Sequence, residues 1–98
     1  MSKFNDIING NKPVLLDFSA EWCQPCKMMG PILKDVSSKM GDKVRILKID
    51  VDKNQAIAQK WQIQSVPTIA IFKQGKQLFR QSGVLQANQL IAELNKHL

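Results

Sequence analysis

This sequence predicts an α/β sandwich with a mixed central sheet of about four strands and helices on both faces, and three observations carry the prediction. Apolar runs of strand character alternate with segments whose apolar residues recur every three and four positions. The first strand-like run, Val14-Leu15-Leu16-Asp17-Phe18, leads into Trp22-Cys23-Gln24-Pro25-Cys26-Lys27, which holds the only two cysteines of the chain. The turn Lys73-Gln74-Gly75-Lys76 joins the last two strand-like runs as a hairpin, so part of the sheet is antiparallel.

In chain order, Phe4, Ile7 and Ile8 form a short apolar helix face that Gly10-Asn11-Lys12-Pro13 ends. Val14 to Ser19 is nearly continuous in apolar character, as a central strand buried on both faces should be, which makes Asp17 the anomaly. From Cys23 to about Lys39, residues Met28, Met29, Ile32, Leu33, Val36 and Met40 recur at helical spacing. Gly30-Pro31 is expected to interrupt and bend this helix, and Gly41-Asp42 to close it. Val44 to Val51 is the next strand, parallel to the first because a helix crosses between them. Asp52 to Trp61 reads as a shorter helix, Thr68–Phe72 and Gln77–Gln81 as the hairpin strands, and Gln86 to Leu98 as a last helix capped by Asn88. Met28, Met29 and Trp61 are read as core.

Ninety-eight residues fit one domain, residues 1–98, and a chain of this size buries roughly two-thirds of its unfolded surface. No disulfide staple is then required, and a lone cysteine pair suits reversible chemistry in a reducing compartment better than a secreted framework. The segment from Met1 to Asp6 lacks the apolar stretch of a secretory leader, and a cytoplasmic protein with no membrane partner is the expectation. The 14 Lys and Arg against 8 Asp and Glu give a net charge of +6, but the basic residues are dispersed, so no nucleic-acid partner is expected. A bias toward acidic protein partners is left open.

The cysteine spacing carries the chemistry. Residues three apart on a helix turn lie side by side, at a separation that a disulfide can bridge. The first helical turn offers unpaired N–H groups and the positive dipole end, which favour a thiolate on the nearer cysteine, Cys23. Disulfide exchange needs such a nucleophile and a second thiol to release the mixed disulfide, a role that falls to Cys26. A purely structural disulfide is the competing reading. Beyond the two cysteines only His97 resembles a zinc ligand where four are usual, so no metal is expected, and Asp50-x-Asp52 reads as strand-end solvation or capping. A carboxylate in an apolar strand, such as Asp17, is costly enough to be protonated, paired or functional.

Asp17-Phe18-Ser19-Ala20-Glu21-Trp22-Cys23, then Pro25-Cys26-Lys27-Met28 and Pro31, resembles the thioredoxin family. The likeness continues in register through Lys48-Ile49-Asp50-Val51-Asp52, Ser65-Val66-Pro67-Thr68, Phe72-Lys73-Gln74-Gly75 and Gly83. Two features depart from the family pattern. Gln24 replaces a glycine, and the chain begins at the family's first helix without its leading strand, which would leave Val44–Val51 as an edge guarded by Arg45 and Lys48.

The resemblance implies the thioredoxin fold and a protein-disulfide reductase that serves electron transport and cell redox homeostasis. It would act without a cofactor, as a monomer, with a thioredoxin reductase as electron donor and disulfide-containing proteins as clients. It also implies roles for residues: Asp17 as the buried acid that accepts the proton of Cys26, Lys48 as its modulator, and Pro67 as a cis proline facing the dithiol. Trp22, Val66, Pro67 and Gly83 would form the substrate-docking patch, with Gln24 and Pro25 tuning the redox potential. An oxidase or isomerase on the same fold, and a redox-independent interaction module, are the alternatives.

Overall fold

A computed structural model describes residues 2–98; Met1, the first residue of the segment read above for a leader, lies outside them. The elements run α1 (Ser2–Ile8), β1 (Val14–Ser19), α2 (Gln24–Met40), a 3-10 turn (Gly41–Lys43), β2 (Arg45–Asp50), α3 (Gln55–Lys60), β3 (Thr68–Lys73), β4 (Lys76–Ser82) and α4 (Ala87–Asn95). The sheet order is β2-β1-β3-β4, with β1 and β2 parallel and the other pairs antiparallel. The mixed four-stranded sheet is the one expected.

Strand alternation divides the core into two layers. Leu15, Ile69 and Ile71 pack with Met29, Leu33 and Val36 of α2 and with Leu90 and Leu94 of α4. The intervening residues Val14, Leu16, Phe18, Ala70 and Phe72 pack with Phe4 and Ile8 of α1 and with Trp61 after α3. Trp61 sits edge-on to Phe72 with ring centroids 4.8 Å apart, a favourable aromatic geometry. Because side chains alternate faces along a strand, Asp17 and Ser19 share the face of Leu15, beneath α2. β2 is an edge with Arg45 and Lys48 exposed, as anticipated.

Several sequence expectations need correction. Met28 is 59 % exposed, whereas Met29 is fully buried. Helical spacing admitted both, but adjacent residues lie 100° apart and only one can face the sheet. Gly30-Pro31 does not interrupt the helix, which runs through it to Met40, although Pro31 has no N–H to give to the Lys27 carbonyl. Gly41 ends this helix at φ 59°, a backbone region glycine enters freely, and its N–H reaches Ser37 O.

α3 begins at Gln55 rather than Asp52, because Asp50 Oδ1 accepts the N–H groups of Asp52 and Lys53 at 2.9 and 3.1 Å and holds them in a turn. This is the capping role expected of Asp50. β2 is correspondingly trimmed to Arg45–Asp50, while the hairpin strands extend to Lys73, Lys76 and Ser82. The N-cap of α4 is Gln86, whose N–H donates to Gln89 Oε1 at 3.0 Å, and Asn88 lies one residue inside the helix. α4 also ends at Asn95, short of Leu98.

Replacing Met29 by alanine should cost about 2–5 kcal/mol of folding stability, the usual range for a buried methionine. Met28→Ala should stay within about 0.5 kcal/mol, as exposed substitutions do. Urea unfolding of the two variants measures both; equal losses would contradict the assigned helix face.

Candidate active site

β1 delivers its last residues to the start of α2 through a tight turn in which Cys23 N–H donates to Ala20 O at 3.2 Å. Cys23 is the N-cap of α2, in extended conformation at φ −91° and ψ 109°, and Pro25 occupies the first turn, where its missing N–H costs nothing. The Cys26 N–H donates to Cys23 Sγ at 3.2 Å, so the sulfur takes the place that a serine or aspartate oxygen fills at other helix starts. Cys23 and Cys26 are joined as a disulfide with Cα atoms 5.3 Å apart. A thiolate at Cys23 would gain from this N–H and from the dipole end, worth about 0.3–1 kcal/mol even when exposed.

Exposure does not separate the two sulfurs, since both cysteines are 4 % exposed. Their surroundings do. Cys26 borders a cleft of about 390 Å3 that is also lined by Asp17, Lys27, Gly30, Lys34 and Lys48, and Cys23 does not line it. Cys23 Sγ lies 3.7 Å from the Val66 carbonyl oxygen, on the side of the loop preceding β3.

Asp17 is 2 % exposed, and its Oδ1 has no hydrogen-bond partner among the described residues. Burial pushes its carboxyl from an ordinary 3.8 up to about 6, against the opposing pull of Lys48. Lys48 is its register partner on β2, with an exposed side chain. The acid, the lysine and Cys26 thus meet at one cleft.

The Val66–Pro67 peptide is cis, as the resemblance implied. Gly83, at φ 95°, donates its N–H to Pro67 O at 2.8 Å, which ties the end of β4 to the proline loop. Val66 packs against the cysteines. Trp22 is 70 % exposed, so it is available for docking rather than filling the core. Gln24 and Pro25 are exposed at the first turn. Asp17 and Lys48 therefore share the cleft of Cys26, while Val66 packs against the cysteines and carries Pro67 and, through the Pro67 carbonyl, Gly83.

Three features escaped the sequence. Trp22 Nε1–H donates to Asp52 Oδ2 at 2.9 Å, and the exposed Lys53–Glu21 pair at 3.0 Å joins the same two loops. Ser19 is fully buried on the face of Asp17 with a hydroxyl that has no partner among the described residues. Ser65, Thr68 and Ser82 gather their hydroxyls at the base of the proline loop. Each depends on residues distant in the chain, apart from Ser19, whose polarity inside the apolar strand was the available signal.

A cysteine disulfide at a helix start with a buried acid behind it, on this mixed sheet, defines the site of a thiol–disulfide oxidoreductase. A thioredoxin family model matches residues 1–96, and the chain belongs to the thioredoxin family. It is 48 % identical over 98 residues to "Thioredoxin Y, chloroplastic" of Oryza sativa subsp. japonica, covering 99 % of this chain and 58 % of that protein. It is 50 % identical over 94 residues to a thioredoxin-like protein of Synechocystis sp., covering 95 % of this chain and 90 % of that one. Among solved structures, a thioredoxin from Nicotiana alata superposes with a TM-score of 0.86 at 38 % identity, covering 98 % of this chain and 82 % of that one. A thioredoxin variant from Halobacterium salinarum gives 0.89 at 31 % identity, with 99 % and 84 % covered.

The raised Asp17 pKa has a signed consequence. Between the unfolded value near 4 and the folded value of about 6, the folded chain binds more protons, so stability falls as pH rises through this window and is level above it. The gap corresponds to roughly 3 kcal/mol. Asp17→Asn should therefore match the oxidised parent at or below about pH 4 and exceed it by up to roughly 3 kcal/mol at neutral pH. Urea unfolding at both pH values checks this; a difference independent of pH would remove the buried charge as its cause.

Proposed function

We propose that the chain is a protein-disulfide reductase that passes two electrons from a thioredoxin reductase to disulfides of client proteins. The observation that carries the proposal is the Cys23–Cys26 disulfide at the start of α2, with Asp17 behind Cys26 at one cleft. In the reduced protein the Cys23 thiolate attacks one client sulfur; a mixed disulfide forms and the first client thiolate leaves. Cys26 then loses its proton to the Asp17 carboxylate, directly or through water in the cleft, and attacks Cys23 Sγ. The second client thiolate leaves, and the pair ends as a disulfide that the donor must reduce. The client gains two electrons and the dithiol loses two.

Trp22, Val66 and Gly83 supply the surface against which the client segment docks, and Lys48 adjusts the charge at Asp17. The cycle uses no bound cofactor and needs one chain, so we take the acting species to be a monomer. A reversible dithiol operates in a reducing compartment, and we assign the protein to the cytoplasm on that ground, where it would contribute to electron transport and redox homeostasis.

Replacing both cysteines by serine should abolish reduction of an insulin-type disulfide; retained activity would show an interaction module instead. In the reduced parent, brief alkylation near neutral pH followed by mass mapping should label Cys23 first, because the helix start favours its thiolate. Label mainly on Cys26 would reverse the two roles.

Gln24 sets the remaining expectation. The helix begins at Gln24 with the disulfide in place, so helix propensity acts on the oxidised form too, and the side-chain amide is left as the group that can favour a thiolate. Gln24→Gly should make the potential more negative by roughly 30 mV or less, about a tenfold change in the equilibrium constant. Equilibration of both proteins with a dithiol buffer decides it, and an unchanged or less negative potential would refute the role of the amide.

A further inference from the structure

Three hydroxyls close a hydrogen-bonded ring at the base of the proline loop. Thr68 Oγ1 donates to Ser65 O at 2.7 Å, which commits its single proton. At its 3.1 Å contact with Ser82 Oγ the threonine can therefore only accept, and Ser82 donates. With the Ser82 proton so used, the 3.0 Å contact between Ser65 Oγ and Ser82 Oγ has Ser65 as donor. The order runs from the Ser65 hydroxyl to Ser82, to Thr68, and back to the Ser65 carbonyl. Each hydroxyl donates once and no proton is left over.

Ser65 and Thr68 bracket Val66 and Pro67, the cis pair whose Val66 carbonyl lies 3.7 Å from Cys23 Sγ. Ser82 belongs to the other segment, at the end of β4, where it pairs in register with Thr68. The next residue, Gly83, donates to Pro67 O at 2.8 Å. Ser82 is thus the one β4 side chain in the ring, and it adds a side-chain tie between the two segments beyond the end of the β3–β4 ladder, beside the Gly83–Pro67 backbone bond. Ser65 and Ser82 are exposed, so water competes for these hydroxyls whenever the ring opens.

We infer that Ser82 is a positioning residue for client docking, holding the Val66–Pro67 loop against the Gly83 turn in the arrangement that a client segment binds. The inference rests on the reductase reading and adds to it a residue that touches neither sulfur. A loop that opens part of the time lowers the fraction of binding-competent protein, and apparent affinity falls by that fraction. One lost hydrogen bond of ordinary strength raises the opening constant by about three- to tenfold, and the apparent affinity falls by at most that factor.

Ser82→Ala should raise the KM for an insulin-type disulfide, by up to about tenfold, with kcat retained. Ser82→Thr, which keeps the hydroxyl and suits a strand end, should restore the parental KM. A merely structural role would lower the amount of folded protein, and so the apparent kcat, without moving KM. Amide exchange provides a readout that needs no catalysis: the Gly83 N–H should exchange faster in Ser82→Ala and at the parental rate in Ser82→Thr. Unchanged Gly83 exchange in Ser82→Ala would overturn the ring as a clamp. Faster exchange with an unchanged KM, or a KM raised equally by threonine, would overturn its role in docking. If the parent protein reduces no disulfide, the docking role falls with the reductase reading, and the exchange data still report whether the clamp exists.

Discussion

A carboxylic acid held inside a strand that is buried on both faces is the constraint on which the site depends. Every other side chain in β1 is apolar or the small hydroxyl of Ser19, and the sheet alternation aims Asp17 at the underside of α2. Burial raises the acid to about 6, so at neutral pH it is ionised yet close enough to its pKa to take a proton from a thiol. An acid left in water would have a lower pKa and less tendency to accept that proton; one buried without Lys48 nearby would be pushed higher still. The core thus holds a destabilising charge at the cleft that Cys26 borders, which is the place a base would occupy in the proposed exchange.

The second dependence is the placement of a helix start at the end of the central strand. α2 is held down by Met29, Leu33 and Val36, whose burial fixes where its first turn must lie. Cys23 is then the residue that caps the helix, and its sulfur accepts a backbone N–H before any client arrives. The cysteine spacing works because this turn is rigid. The same two sulfurs on a flexible loop would lose the aligned N–H and the dipole together.

Around this centre the chain assembles a surface from three separate loops. Trp22 is anchored to Asp52, Pro67 to Gly83, and Ser65 and Thr68 to Ser82. Apart from the Ser65–Thr68 carbonyl bond, these contacts join residues distant in sequence. The core supplies stability, while these polar ties shape the surface that is proposed for docking.

By itself the sequence determined the fold class, the dithiol and the anomaly of Asp17, because each is carried by local signals: period two or 3.6, two cysteines three apart, one acid in an apolar run. The spaced likeness to thioredoxins added the cis proline and the docking residues, which no local pattern would have revealed. Tertiary structure alone decided which of two adjacent methionines is buried, since both fit the helical period and only the position of the sheet selects Met29. It decided that α3 starts late, because hydrogen bonds donated by the Asp52 and Lys53 N–H groups to the Asp50 carboxylate compete with the first helical turn. The cleft joining Asp17, Cys26 and Lys48, the Trp22–Asp52 bond and the hydroxyl ring likewise belong to tertiary structure. They exist only where sheet pairing and loop closure bring residues distant in the chain side by side, and that proximity is not encoded in any local stretch of residues.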